Sequence, residues 1–164
     1  MLKNQGKIIA SGLGKNVPIC EKFVGTLNSL GIDARFLHTN TAIHGDLGMV
    51  RKNDVVFLLS KGGNTHETVE LAQYLKERGT STWLITFAEK CKTAEIVEKR
   101  LVMHLTNEGD EWNIVPNNST TVYLILLQGI SIEIAKRMGI TLNEFKINHP
   151  GGGIGAKLSG KNLW

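Results

Sequence analysis

The feature that most constrains the fold is a run of hydrophobic residues, Val55 to Leu59, followed at once by Ser60 and the pair Gly62-Gly63. A strand that is apolar at every position must be covered on both faces, as the strands of parallel sheets are. Four more short apolar runs recur along the chain, at residues 7–11, 34–38, 83–87 and 101–105. These runs predict the strands of a buried, mainly parallel sheet.

Helical patterns separate the apolar runs. Residues 17–30 and 65–78 each present one apolar face, and each pattern stops at a glycine. The longest pattern covers 119–138 and begins in the capping sequence Asn117-Asn118-Ser119. Strands that alternate with helices indicate βαβ units, so we expect an α/β fold with helices on both faces of a parallel sheet.

The longest helix pattern is apolar almost all round. Its aliphatic residues do not fit on one stripe: Val122, Leu124, Ile125, Leu126, Leu127, Ile130, Ile132 and Ile134. A helix of this kind has to be buried on every side. One face can cover the sheet, and a partner subunit is the simplest cover for the other. The pattern therefore predicts a homo-oligomer.

The composition excludes several classes of protein. The 164 residues suit one domain, and the net charge of +4 is scattered without a run of one sign, so no nucleic-acid partner is expected. The longest aliphatic stretch, 122–134, is interrupted by polar residues, which argues against a membrane span. No secretory signal opens the chain, and Cys20 and Cys91 have no metal-like spacing. We expect reduced thiols in a cytoplasmic protein.

Ligands of doubly wound sheets bind beyond the carboxyl ends of the strands, where three loops fall, at residues 12–16, 60–65 and 117–121. Loop 60–65 suits a phosphate best, because its glycines let backbone N–H groups approach an anion and the next helix offers further N–H groups. A tight glycine turn with a polar helix cap would have the same sequence pattern. The predicted substrate-binding residues are Gly14, Asn16, Ser60, Lys61, Gly62, Gly63, Asn64, Thr65 and Ser119.

Cofactor and metal motifs are incomplete. Gly12-Leu13-Gly14 begins like a dinucleotide fingerprint, and Asp33 follows at a suitable distance, but Val17 replaces the third glycine. The residues that could bind a metal match no ligand motif: His38, His44, Asp46 and His149. We therefore expect neither a redox cofactor nor an essential metal.

Four ionisable residues occupy loops or helix starts rather than periodic faces: His44, Glu67, Glu108 and His149. Loop residues held on a rigid sheet are typical functional positions. Taken one at a time, each is better explained by a solvated turn or by a helix dipole. Taken together, they make a set worth comparing with known active sites.

Read in order, the loops resemble the sugar isomerase (SIS) domain family, and more narrowly arabinose-5-phosphate isomerases. The motifs that carry the resemblance are Gly12-Leu13-Gly14-Lys15, His44-Gly45-Asp46-Leu47-Gly48-Met49, the phosphate loop followed by Glu67, Ser119-Thr120-Thr121 and His149-Pro150-Gly151-Gly152. The resemblance runs from about Gly6 to about Leu158. It implies a single SIS domain over residues 1–158 and a C-terminal tail over 159–164, without the CBS modules that many members add.

The resemblance implies a three-layer αβα sandwich with a five-stranded parallel sheet, flavodoxin-like and doubly wound. It implies a homotetramer with active sites at subunit interfaces, which interconverts D-arabinose 5-phosphate and D-ribulose 5-phosphate through a cis-enediol. The catalytic residues that it transfers to this chain are Lys15, His44, Glu67, Glu108 and His149.

The roles of these residues are expectations that follow from the resemblance and the chemistry. Glu108 is expected to be the carbon base, with a pKa raised toward neutrality by burial. His149 would open the sugar ring and move protons between oxygens, and Lys15 would stabilise the enediolate. Glu67 would orient Lys15 or share proton transfer, and His44 would reach a neighbouring subunit's site.

The chain departs from the family pattern in its phosphate loop, which in the family reads Ser-Asn-Ser-Gly-Glu-Thr or Ser. Here Lys61 replaces a neutral amide, Gly62 lacks a hydroxyl, and Asn16 stands where Ser is common. We expect phosphate to be held more by charge and less by hydroxyls. Family members usually carry a helical segment before the first strand, whereas the first predicted strand of this sequence begins at residue 7.

Three alternatives stay open from the sequence. One is a SIS isomerase for another sugar phosphate, such as a hexulose or heptose phosphate. Another is a non-catalytic sugar-phosphate-binding regulatory domain. The third, a nucleotide-dependent oxidoreductase, rests on the incomplete glycine motif alone.

Overall fold

The computed structural model describes residues 6–160, and its centre is a five-stranded sheet in which every neighbouring pair is parallel. The strand order is β2-β1-β3-β4-β5. The strands are β1 Ile8–Gly12, β2 Ala34–His38, β3 Val55–Leu59, β4 Ser81–Thr86 and β5 Lys99–Val102. The predicted α/β fold with a parallel sheet is confirmed.

Helices cover both faces of the sheet, which makes the three layers. They are α1 Asn16–Ser29, α2 Thr39–Ala42, α3 His66–Glu77, α4 Lys92–Ile96, α5 Asn118–Met138, α6 Leu142–Ile147 and α7 Gly152–Leu158, with a 3-10 turn at Asp46–Met49. Phe23 and Leu27 of α1 and Tyr123 and Leu127 of α5 form one core with the sheet. On the opposite face, α3 contributes Leu71, Ala72 and Leu75 to a second core.

The strand order fixes where a ligand can bind. The chain runs from β1 outward to β2 and then returns to the other side of β1 at β3, so the order reverses between β1 and β3. A crevice forms at such a reversal, beyond the carboxyl ends of the strands. The loops after β1 and β3, residues 13–15 and 60–65, begin at this position.

Two boundaries differ from the sequence-based prediction. The fifth strand was predicted at residues 101–105, but β5 ends at Val102, and Lys99 pairs with Trp83 of β4. The reason is that β5 is the edge strand, and its two leading residues, Lys99 and Arg100, are exposed and charged. An edge strand with one exposed side lacks the continuous apolar run on which the prediction depended.

The glycine-rich segment after His149 is also more regular than predicted. Residues 149–153 were expected to be neither helix nor strand, but α7 begins at Gly152. A Cβ atom at Gly155 would lie 2.6 Å from the carbonyl oxygen of His149, so this short helix folds back closely on the turn before it. Only glycine permits that approach, and the apolar residues that follow can then continue the helix.

Helix α5 is buried on one side and open on the other. Tyr123 and Leu127 lie in the core, whereas Ile125 and Ile132 are 65% and 62% exposed. Beside α5, an apolar groove of about 590 Å³ crosses the sheet toward its β5 edge, between Trp83, Leu101 and Ile130 among others. Only one side of this all-round apolar helix is therefore buried within one protomer.

Predicted features at the two ends of the chain fall largely outside the described residues. Of the tail predicted over 159–164, only Ser159 and Gly160 are described, and they follow the end of α7. Residues 1–5, where the sequence shows no secretory signal, are outside as well. Between residues 6 and 160, no helix combines the length and the hydropathy that crossing a lipid bilayer requires.

One hydrogen bond ties the first turns of α5 to the sheet, because the buried Tyr123 hydroxyl donates to the Ile85 carbonyl oxygen at 3.1 Å. We predict that Tyr123→Phe lowers the free energy of unfolding by about 1 kcal/mol, the usual net worth of one such bond. Tyr74→Phe is the matched control, because Tyr74 is 38% exposed; its effect should stay within about 0.5 kcal/mol. Urea denaturation measures both, and equal effects would contradict the assigned anchor.

Candidate active site

The loop between β3 and α3 has the form of an anion cradle. Gly63 has a φ of +62°, and its N–H donates to Ser60 Oγ at 3.1 Å. The Gly63 carbonyl oxygen accepts hydrogen bonds from the N–H and the hydroxyl of Thr93. Asn64 Oδ1 accepts the N–H of Lys92 at 2.9 Å. The loop is therefore fixed by α4, in a conformation that only a residue tolerant of positive φ can adopt.

This fixed loop leaves N–H groups free for a ligand. Within the described residues, the N–H groups of Gly62, Asn64 and Thr65 have no protein acceptor. They lie at the start of α3, a 12-residue helix whose first turn adds further unpaired N–H groups and the positive end of the helix dipole. This arrangement suits an anion such as a phosphate.

Glu108 lies beside the cradle, although it is 48 residues away from Ser60 in the sequence. Its side chain is fully buried, and its Oε1 is 2.6 Å from the ammonium of Lys61 in the phosphate loop. Among the described residues, no hydrogen-bond donor is aligned with Oε1. The Lys61 ammonium is therefore the group that offsets the charge on this oxygen.

The second oxygen of Glu108 caps helix α5. Oε2 accepts the N–H of Ser119 at 2.9 Å and the N–H of Asn117 at 3.1 Å. The sequence indicated Asn117 and its neighbours as caps, but Asn117 makes no side-chain cap bond to the helix. Its amide instead donates to the Glu108 carbonyl oxygen. The carboxylate of Glu108 thus takes the place that the prediction gave to the asparagines.

The pKa of Glu108 moves in the direction opposite to the prediction. Burial alone would raise the pKa, but the Lys61 ammonium, the N–H and hydroxyl groups of Ser119 and the N–H group of Asn117 outweigh it and lower the pKa from 4.5 to about 2. All these groups favour the charged form of the carboxylate. The expectation of a pKa near neutrality is therefore wrong for the protein without substrate. Nothing in the sequence indicated that Lys61 would contact this carboxylate.

The loop after β1 joins the same edge of the sheet. Asn16 Nδ2 donates to the Leu59 carbonyl oxygen at 3.2 Å, which ties the first turn of α1 to the end of β3. Lys15 is the exposed residue just before α1, and Gly14, at a φ of +56°, turns the chain into it. Glu67 lies half-buried in the first turn of α3. These residues lie in the loops and first helical turns that follow β1 and β3.

His44 follows α2, after strand β2, and is exposed. Its N–H donates to the Thr41 carbonyl oxygen, and Thr41 also donates its hydroxyl to Asp46. His44 thus belongs to the segment that follows the carboxyl end of β2, and β2 lies next to β1 in the sheet. The structure leaves its ring free to face solvent or another subunit.

His149 lies at the opposite end of the domain. Its neighbour Asn148 donates to the carbonyl oxygen of Ser29, the last residue of α1, whereas Lys15 precedes the first residue of that helix. The 14 residues of α1 span about 20 Å at 1.5 Å each. The His149 ring is held by Phe145, whose carbonyl oxygen lies 2.8 Å from Nδ1. One protomer therefore does not bring His149 to Glu108.

The sequence missed two residues that shape this site. Asn113, at a φ of +56°, accepts the Glu108 N–H on its side-chain oxygen at 2.7 Å. Asp110 accepts the N–H groups of Trp112, Ile114 and Val115, which closes the loop before α5. An aspartate followed by several residues of irregular pattern was the available signal, since such side chains organise turns. The role of this loop, which orients Glu108 through Asn113, could not be recognised before the fold was known.

Ser119 is buried and directs its N–H toward Glu108, so its contribution to the site passes through that carboxylate. Within residues 6–160, no group of three or more His, Cys, Asp or Glu side chains could hold a metal ion. Cys20 and Cys91 are both unpaired and buried, as the sequence indicated. Burial raises the pKa of the Cys20 thiol to about 12, with a smaller contribution from the charge of Glu21.

The fold and the site together define an α/β protein that offers an anion cradle and a charged side-chain pair at the reversal point of its sheet. The SIS domain model matches residues 1–138. The chain belongs to the SIS domain family.

Curated relatives include the arabinose 5-phosphate isomerase KdsD of Pseudomonas aeruginosa, 34% identical over 96% of this chain and 48% of that protein. The protein of the same name from Escherichia coli K12 is 32% identical over 94% of this chain and 47% of its own length. The chain thus spans about half the length of the curated relatives it matches.

Solved structures share the fold. The Escherichia coli CFT073 protein c3406, in complex with arabinose 5-phosphate, is 32% identical with a TM-score of 0.85, over 89% of this chain and 78% of that one. The sugar isomerase domain of an RpiR transcription factor from Sphaerobacter thermophilus is 21% identical with a TM-score of 0.60, over 83% of this chain and 77% of that one. The second comparison concerns the fold only.

The cradle geometry predicts different results for its two glycines. At Gly63, a Cβ would collide with the Cys91 side chain and would require a φ of +62°. We predict that Gly63→Ala costs about 2 kcal/mol of unfolding free energy or more. A Cβ at Gly62 meets nothing within 4 Å, so Gly62→Ala should stay within about 1 kcal/mol. Thermal denaturation of both variants measures the difference, and equal losses would argue against the cradle as described.

The ionised state of Glu108 predicts a pH-dependent contribution to stability. Because its pKa in the folded chain is about 2, below the ordinary 4.5, this stability is fully present above pH 4.5 and is lost as the pH falls toward 2. We predict that Glu108→Gln lowers the unfolding free energy by about 3 kcal/mol at pH 7, with a smaller loss at pH 3. Glu111→Gln, at an exposed position, is the control in urea denaturation at both values. A Glu108→Gln loss that does not change with pH would contradict this prediction.

Proposed function

We propose that the protein is an aldose–ketose isomerase that interconverts D-arabinose 5-phosphate and D-ribulose 5-phosphate. The observation that carries the proposal is the contact between Lys61 of the anion cradle and the buried Glu108 carboxylate. It joins a phosphate site to a candidate base at the reversal point of the sheet. Relatives named arabinose 5-phosphate isomerase, and a related structure in complex with that sugar phosphate, support the choice of sugar.

The proposed reaction moves protons and needs no net redox change. A base removes the proton from C2 of the open-chain aldose, and the carbonyl oxygen on C1 gains a proton, which gives the cis-enediol. The proton on the C2 oxygen then leaves while C1 gains a proton, which gives the ketose. The reaction therefore requires a carbon base, a proton shuttle between two oxygens and a group that stabilises the enediolate.

The chain offers a residue for each requirement. We assign Glu108 as the carbon base, Lys15 to stabilise the enediolate, and His149 to open the ring and move the oxygen-bound protons. Glu67, in the first turn after the cradle, would orient Lys15. The phosphate would bind the N–H groups of loop 60–65, with Ser60, Lys61, Asn64 and Thr65 around it. Gly14 and Asn16 would shape the wall on the β1 side.

We infer that the complete site forms between subunits of a homotetramer. His149 and Lys15 lie at opposite ends of α1, about 20 Å apart, so a neighbour has to supply one of them. His44, exposed in its loop, would reach a neighbouring site in the same way. The exposed Ile125 and Ile132 of α5 give such neighbours an apolar surface to contact. Two buried, unpaired cysteines are consistent with a cytosolic location.

A non-catalytic sugar-phosphate sensor is the competing function, favoured by one observation. Glu108 is fully buried with both oxygens engaged, which suits a structural carboxylate as well as a resting base. Proton–deuterium exchange at C2, followed by NMR across a panel of aldose and ketose phosphates, separates the two functions. The isomerase predicts exchange with the pentose 5-phosphates. Binding without exchange for every sugar would favour the sensor, and exchange only with a hexulose or heptose phosphate would change the substrate.

The shared site predicts complementation between two inactive variants. Lys15→Ala and His149→Ala should each lose at least about a hundredfold in turnover, because each removes a charged or proton-transferring group. After the two are mixed and reassembled from denaturant, hybrid oligomers contain some sites with both residues intact, so a sizeable fraction of activity should return. The control is each variant carried through reassembly alone. If the mixture stays as inactive as its parts, the intersubunit site is wrong.

A further inference from the structure

Lys61 combines a fixed backbone with a charged side chain that is partly exposed and can move. The Lys61 carbonyl oxygen accepts the Thr86 hydroxyl at 2.9 Å and the Phe87 N–H at 3.0 Å, which holds the residue on the end of β4. Its side chain is 46% exposed, whereas Glu108 is fully buried. The flexible side chain of Lys61 thus reaches from the exposed loop to a buried carboxylate.

The two oxygens of that carboxylate are held in different ways. Oε2 accepts two backbone N–H groups of α5, which fix it in place. Oε1 faces the Lys61 ammonium at 2.6 Å, and within residues 6–160 no backbone N–H donates to it. The Tyr123 phenol on α5 also senses Glu108, because its pKa is raised, chiefly by burial and also by the charges of Cys20 and Glu108. Oε1 is therefore the oxygen that can be uncovered.

Lys61 also belongs to the loop where an anion would bind. It is adjacent to Gly62, whose N–H is among those left without a protein acceptor. A phosphate dianion in the cradle carries twice the charge of the carboxylate and lies within reach of the partly exposed Lys61 side chain, so it competes for the same ammonium. One lysine, with a single positive charge, cannot neutralise the two charges of the phosphate and the charge of the carboxylate at once.

We propose that Lys61 is a phosphate-responsive gate on Glu108: it covers Oε1 while the cradle is empty and leaves it when a phosphate binds. This inference rests on the proposed function, and it deepens it by linking the two halves of the site. Lys61 is a positioning residue in this scheme, because it acts on the substrate carbon only through Glu108. An uncovered Oε1, no longer paired with an ammonium, becomes both reachable and more basic.

The gate gives the phosphate group a second role. Binding energy from a part of the substrate that does not react would then be used to prepare the base, as remote binding groups do in other enzymes. A sugar without its phosphate would meet a covered carboxylate. The gate would thus protect against proton abstraction from unphosphorylated sugars, which are chemically similar at C1 and C2.

The direct test needs no turnover. The full chain is labelled with ¹³C at glutamate side-chain carboxyls, and the Glu108 signal is assigned by its absence in Glu108→Gln. Inorganic phosphate is then added at pH 7, with the amide signals of Gly62 and Gly63 as the measure of occupancy. We expect the Glu108 signal of the natural chain to move, as the cradle fills, toward the position that it holds in Lys61→Gln without phosphate. In Lys61→Gln, phosphate should move it little.

Lys61→Arg keeps the charge and the reach, so its Glu108 signal should stay near that of the natural chain until phosphate is added. Lys92→Gln is the matched control, because Lys92 is exposed at the start of α4 beside the loop, and its removal changes the net charge equally. Its Glu108 signal should respond to phosphate as the natural chain does. If the amide signals saturate while the Glu108 signal does not move, or if phosphate moves neither, the gate is overturned.

A kinetic measurement separates the gate from a structural lysine. With D-arabinose 5-phosphate, Lys61→Gln should raise KM about tenfold or more while kcat stays within about threefold, because the gate is already open in the substrate complex. A loss of kcat of a hundredfold would mean that Lys61 must stay on Glu108 during turnover, which overturns the gate. If the natural chain turns over no sugar phosphate, the proposed function fails, and the NMR result still decides whether phosphate moves Lys61.

Discussion

The site depends on a single buried carboxylate. Glu108 connects three segments that are distant in sequence: the phosphate loop through Lys61, the chain after β5 to which it belongs, and the first turn of α5 through two backbone N–H groups. A buried charge without partners would be strongly unfavourable, so the native arrangement has to bring these segments together. The same contacts that satisfy the charge also place a candidate base next to an anion cradle.

This dual use explains the low pKa. In the protein without substrate, Glu108 is a structural anchor with a pKa of about 2, and in that state it is a poor proton acceptor. Under the proposed function, Glu108 would act as a base only after substrate has bound, at a site completed by another subunit. His149 is fixed near the far end of α1, and the exposed apolar side of α5 remains available for contact between protomers.

The sequence predicted the sheet and the positions of the loops, because buried parallel strands have continuous apolar runs and the intervening helices stop at glycines. It failed at β5, an edge strand with exposed Lys99 and Arg100, and after His149, where the close approach of Gly155 to the His149 carbonyl oxygen permits a short helix. Both failures come from tertiary context. Local pattern cannot report which strand lies at the edge or which glycine touches a carbonyl group.

The candidate site was less predictable than the fold. The order of motifs identified Glu108 and Lys61 separately, but the ion pair between them joins residues 47 positions apart and reverses the expected pKa shift. The supporting roles of Asp110 and Asn113 depend on the loop conformation, including a positive φ at Asn113. Such contacts follow from the three-dimensional arrangement of loops, which periodicity does not encode.

A crystal structure of the assembled protein with D-arabinose 5-phosphate tests the central claim most directly. We expect a phosphate on the N–H groups of loop 60–65, Lys61 turned from Glu108 toward that phosphate, and His149 of a neighbouring subunit within hydrogen-bonding distance of the sugar. A sugar phosphate bound away from the cradle, or an assembly in which every His149 faces solvent, would contradict it.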